Sequence, residues 1–163
     1  MTRLILIRHA KSGWDDPMAD DHERVLTDRG RKASATIGKW LQAKGYVPEV
    51  VLCSDAARTQ QTAEGVLAAF ADPPVLKLVP LLYHASPDTV LDLVSRVDAG
   101  SVAVIGHNPG IGMAASGLVA QRPAHHRFSD YPTCATTVID FPHTIAPGAG
   151  DLVDFVVPRD LVD

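Results

Sequence analysis

The chain has 163 residues, 46% of them hydrophobic and 21% charged, with a formal net charge of −4. That length and balance describe one soluble globular domain, 1–163, with enough chain to bury a full core. The acidic excess excludes bulk attraction to nucleic acid or an anionic membrane, so any bound anion needs a local cluster of basic side chains.

Read in chain order, residues 3–7 form the first apolar run, and LILI is continuous rather than alternating. A strand covered on both faces has that pattern. Thr27 is placed to cap a helix over 28–44, with Ala33, Ile37, Trp40 and Leu41 on one face and Gly45 as its stop. A second strand over 50–54 leads into a helix over 55–69, and a third strand follows over 75–79. Ser86 caps a helix over 87–96 that has Pro87 at its first position. The second continuous run, VAVI within 101–105, precedes a weaker helical pattern over 111–120 that contains Gly112 and Gly117. Runs at 135–141 and 152–157 have no helix between them, and PHTIAPGAG reads as the loop of a late β–β unit. Strands alternating with helices predict an α/β sandwich with a mostly parallel sheet.

No apolar stretch approaches the roughly 18 residues of a spanning helix, and the first apolar run is too short for a secretory signal. Cys53 and Cys134 have no CxxC spacing, which speaks against a disulfide scaffold or structural zinc. A cytoplasmic monomer with reduced thiols is expected. The seven histidines include no HExxH or HxH, and adjacent His125 and His126 cannot easily share one ion, so no metal or other cofactor is expected.

Basic side chains recur where strands end. Arg8 and His9 close the first strand, Arg58 follows Ser54 in SDAART, and His107 closes the fourth strand in VIGHNPG. Ligands of open α/β sheets bind outside the carboxyl ends of the strands, beside helix N-termini that favour anions. A lone strand-end arginine commonly snorkels to solvent. Coincidence at three strand ends of one polarity points instead to a tetrahedral oxyanion, phosphate above all.

LILIRHAKS, SDAARTQQTA and VIGHNPG together resemble the motifs of the histidine phosphatase superfamily, the phosphoglycerate mutase-like fold. RHAKSGW and ERVLTDRG are similar to its small SixA-type phosphohistidine phosphatase branch, with Ala10 where the first motif usually has Gly. The resemblance covers nearly the whole chain. It implies a three-layer α/β/α sandwich and a phosphoryl group carried on His9. His9 must attack unprotonated, and Arg8 and Arg58 are expected to disfavour its imidazolium. Those arginines would hold the phosphoryl oxygens, with His107 as a further donor. Ser12, His84 and Asn108 are candidate substrate contacts.

Two familiar positions for a general acid are empty. The region of Leu81 and Leu82 reads VPLLYHASPD, and Asn108 follows the second catalytic histidine. An alkoxide needs a proton as it leaves, whereas imidazole can depart neutral, so the missing acid favours phosphohistidine on a protein. Asp15, Asp16, Asp20, Asp21, Glu23 and His84 are the candidate substitutes. A phosphatase or mutase for a small phosphorylated molecule stays open, as does a non-catalytic module binding phosphate or phosphohistidine. No P-loop or GxGxxG occurs.

Overall fold

The computed structural model describes residues 1–162. Six strands form one sheet: β1 (Thr2–Arg8), β2 (Val50–Cys53), β3 (Val75–Leu78), β4 (Ser101–Gly106), β5 (Thr136–Phe141) and β6 (Asp151–Val156). Their order is β3-β2-β4-β1-β5-β6. The first four run parallel, β5 runs against β1, and β6 runs against β5. Only β5 is therefore reversed, and the expected mostly parallel sheet is observed. The helices are α1 (Asp28–Lys44), α2 (Ala57–Leu67), α3 (Pro87–Ser95) and α4 (Gly110–Leu118).

The two continuous runs lie side by side at the centre of the sheet. Leu4 and Leu6 of β1, with Val102 and Val104 of β4, face a core shared with α3 and α4. Ile5, Ile7, Ala103 and Ile105 face the opposite core, shared with α1 and α2. Each strand thus divides its residues between two cores by the period-2 alternation of a pleated strand. The result is three layers, α/β/α. Helix α1 packs close to α2 at Gly38, where a Cβ would overlap the Val66 carbonyl oxygen.

Local signals behave as the sequence predicts at α1. Thr27 accepts a hydrogen bond from the Gly30 backbone N–H at 3.1 Å, and Gly45 closes the helix at φ 75°. Helices α2 and α4 differ most from expectation. Helix α2 starts at Ala57 rather than 55, because residues 54–56 make the turn that lifts the chain off β2. Helix α4 ends at Leu118 because Val119 becomes extended and bridges to Gly150. A single 3-10 turn, Asp21–Glu23, stands in the long loop after β1. Among the described residues no helix is long and apolar enough to cross a membrane.

Candidate active site

Parallel register brings the strand ends to one level. Arg8 pairs with Gly106, while Ile105 lies beside both Ile7 and Cys53. His9 and His107 each follow one step later, with ring centroids 5.4 Å apart. Arg58 rises from the first turn of α2. All four line one open cavity of about 340 Å³. Ser12, His84 and Asn108 line it too, so the four basic candidates and the three candidate substrate contacts reach the same place. Lys11, Asp21, Arg24 and Thr133 complete the wall.

His9 is buried, and its Nδ1 lies 2.7 Å from the Ala10 carbonyl oxygen. A carbonyl only accepts, so Nδ1 carries the proton and Nε2 keeps its lone pair. Burial pushes the His9 pKa down to about 4. The Ala10 carbonyl works against this, and Arg8, Arg58 and Arg24 add to it. Desolvation therefore outweighs the arginines that the sequence singled out. Burial likewise takes His107 down to about 3, helped by His9 and Arg58. Both rings are neutral at pH 7.

The loop carrying His9 is tied from two sides. The Cys134 N–H is shared between the carbonyls of Arg8 and His9, at 3.1 and 3.0 Å. Thr62 accepts from the Ala10 N–H at 2.9 Å and donates to the Arg58 carbonyl at 2.7 Å. Arg8 donates from Nη1 to the Tyr131 carbonyl, which also accepts from Asn108 Nδ2. Asn108 Oδ1 accepts from the Gly112 N–H, so its amide is engaged by backbone on both sides. His84, Tyr131 and Cys134 hold positive φ of 54°, 47° and 63° without being glycine. Such conformations cost on the order of 1–3 kcal/mol each and persist where their surroundings over-determine them. All three adjoin the cavity or the residues that shape it.

Among the described residues, three buried nitrogens in this wall have no hydrogen-bond partner: Arg8 Nε, Arg58 Nε and His107 Nδ1. Buried polar atoms are rarely left unmatched, and three on one cavity suit an anion that accepts from several donors at once. The other anion in the cavity is internal. Asp21 Oδ2 accepts from Arg58 Nη2 at 3.0 Å, from the Tyr83 hydroxyl and from His84 Nε2 at 3.2 Å. Its Oδ1 accepts from Arg24 Nη1 at 2.9 Å. Burial alone would raise its pKa, yet donation by Tyr83, Arg24 and Arg58 holds it well below the usual carboxylate range. Of the acidic candidates on the first loop, Asp21 alone lines this cavity, and it does so ionised. Ser12 accepts from Arg24 Nη2 at 2.7 Å, which fixes both on the rim. The sequence reading did not single out Arg24, Tyr83 or Thr62. Thr62 could have been found, since it lies four residues after Arg58 on the same face of α2. Among the described residues no group of three or more His, Cys, Asp or Glu is arranged to hold a metal ion.

Comparison with known proteins agrees with this geometry. Residues 4–78 match the histidine phosphatase superfamily (branch 1). An uncharacterized protein of Mycobacterium tuberculosis is 33% identical over 163 residues, covering 94% of this chain and all of that protein. A solved structure of SixA from Agrobacterium tumefaciens, assigned as a candidate phosphohistidine phosphatase, superposes with a TM-score of 0.80 at 26% identity. It covers 96% of this chain and 99% of that one. The protein histidine phosphatase SixA complexed with tungstate shares the fold at 24% identity, with a TM-score of 0.81 over 99% of this chain and all of that one.

Two outcomes follow. The acid limb of kcat/KM falls near pH 4, below the ordinary histidine value of 6.5, because the free enzyme keeps His9 unprotonated down to that range. A pH profile on a substrate of separately measured ionisation checks this. Replacing Asp21 by Asn removes the internal competitor for Arg58. Inhibition by inorganic phosphate then tightens, by up to about fivefold on the scale of a partly exposed ion pair.

Proposed function

The chain belongs to the histidine phosphatase superfamily, in its SixA-type branch, and on that premise we propose that it hydrolyses phosphohistidine on proteins through a phosphoryl group carried on His9. The observation that carries this is the free Nε2 of His9, fixed by the Ala10 carbonyl, on a cavity lined by Arg8, Arg58 and His107, each of which has a buried nitrogen without a partner among the described residues.

The chemistry follows from those atoms. The phosphoryl oxygens sit against Arg8, Arg58 and the His107 ring. His9 Nε2 attacks phosphorus, and its new N–P bond forms as the N–P bond of the substrate breaks. The departing imidazole keeps the proton on its far nitrogen and leaves neutral, with a conjugate-acid pKa near roughly 6.5. One N–P bond replaces another, so the step asks for little beyond positioning and charge stabilisation. Water then attacks phospho-His9. Its oxygen bonds to phosphorus, both its protons depart with the phosphate, and Nε2 recovers its lone pair.

The substrate class rests on what the cavity lacks among the residues that line it. Asp21 is the one carboxylate there, and three donors keep it ionised. It holds no proton for a departing alkoxide. Leu82 is buried and Leu81 exposed where a glutamic acid would serve, and Asn108 is engaged by backbone. An open cavity lined in part by Arg24, whose guanidinium lies 3.6 Å over the ring of the exposed Trp14, suits a side chain presented on a protein surface. We infer a one-domain monomer acting in the cytoplasm without a metal ion. Two free, buried cysteines are compatible with a reducing compartment.

Turnover of a phosphohistidine-bearing protein and of a simple alkyl phosphate, at matched concentration with a chelator present, tests this. The phosphoramidate is hydrolysed at least about 100-fold faster, the low end of what a positioned acid contributes. Comparable rates would mean that Asp21 or His84 delivers a proton in the substrate complex and that a small phosphate ester is the substrate. Activity lost to the chelator would refute the metal-free mechanism.

A further inference from the structure

A neutral histidine carries one ring proton, and only the nitrogen that carries it can donate to a phosphoryl group. His107 Nε2 lies 2.8 Å from the Ser54 hydroxyl oxygen. Either atom could donate across that distance. The buried hydroxyl resolves the ambiguity. Ser54 is wholly inaccessible to solvent. Besides His107, its Oγ has one partner among the described residues, the Ala56 backbone N–H at 3.4 Å, and an N–H can only donate. The Ser54 carbonyl is separately occupied by the Thr59 hydroxyl and the Cys53 thiol. The hydroxyl proton therefore has a single acceptor in reach, His107 Nε2. If Nε2 carried its own proton it would donate to Oγ, and the buried hydroxyl's proton would be left without an acceptor.

We propose that Ser54 is a positioning residue that sets the tautomer of His107: its hydroxyl donates to Nε2, which places the ring proton on Nδ1 as a donor to the phosphoryl group. This rests on the phosphoryl-transfer reading for its use, and on hydrogen-bond accounting alone for the tautomer. Nδ1 is the buried nitrogen without a partner on the ring that lines the cavity. The neutral ring makes the assignment necessary, because an imidazolium would donate from both nitrogens whatever Ser54 did. The two histidines then match. The Ala10 carbonyl fixes the nucleophile as an Nδ1–H ring with a free Nε2. The Ser54 hydroxyl fixes its neighbour as an Nδ1–H ring whose proton serves the substrate. Ser54 follows β2, one residue past Cys53, and His107 follows β4, one residue past Gly106, so the turn that lifts α2 also orients a ring at the end of β4.

Nitrogen-15 NMR of the imidazoles in the full, resting chain at pH 7 tests this, with His107→Gln used to assign the signals. The expected spectrum has a protonated Nδ1 and an unprotonated Nε2 on His107. In Ser54→Ala, part of the population moves its proton to Nε2. Its kcat/KM and its affinity for inorganic phosphate fall by about 10- to 100-fold, the value of one hydrogen bond to a charged group. Ser54→Thr, which keeps the hydroxyl, restores both the tautomer and the rate. A wild-type spectrum with the proton on Nε2 overturns the assignment whatever Ser54→Ala does. So does a folded Ser54→Ala with full activity. A wild-type protein with Nδ1 protonated but no phosphatase activity would refute the phosphohistidine reading and leave the tautomer assignment standing.

Discussion

Parallel register at the centre of the sheet is the constraint on which the site depends. Because β1, β4 and β2 lie side by side and point the same way, their last residues reach one level. The backbone continues the ladder past the strands: the His9 N–H donates to the Gly106 carbonyl, and the Ser54 N–H donates to the Ile105 carbonyl. Two more hydrogen bonds of the sheet pattern thus set the heights of His9 and Ser54. A slip of one residue would send every core side chain of β1 to the other face and withdraw the nucleophile from its partner. Burial of Leu4 to Ile7 on both sides is what forbids that slip.

Gathering cations and neutral histidines at such a place is electrostatically costly, and the structure offsets the cost in two ways. Desolvation keeps His9 and His107 neutral, so neither adds to the arginine charge. Asp21 then supplies a counter-charge to Arg58 and Arg24. The same carboxylate competes with any phosphoryl group for Arg58. Stability of the resting site and affinity for its ligand are thus opposed through one side chain. Arg8 and Arg58 nonetheless keep donors in reserve, since among the described residues neither Nε has a partner.

Much of this was legible in the sequence, for identifiable reasons. LILI and VAVI announce central strands because strands buried on both faces need no polar residues. Thr27 and Gly45 mark the ends of α1 because orphan backbone groups and a left-handed φ demand particular residues there. Arg8, His9 and His107 stand out because basic residues rarely close buried strands, and Arg58 because it opens the helix that follows one. Asp21 was one acid among five on the first loop. A 3-10 turn and the tertiary fit against Tyr83 select it, and neither leaves a pattern in composition. The left-handed backbones at His84, Tyr131 and Cys134 carry no glycine or asparagine to signal them. Ser54 was visible as the residue closing a strand. Its bond to a histidine 53 residues away required the folded register.

The central claim is that His9 Nε2 carries the phosphoryl group between substrate and water. Rapid mixing with a phosphohistidine substrate, quenching in base and mapping the phosphorylated peptide test it most directly. The phosphoryl group is expected on the peptide containing His9, bonded to Nε2, during the first turnover. A label on His107, or complete hydrolysis with no protein-bound phosphoryl group at any time, would contradict the account.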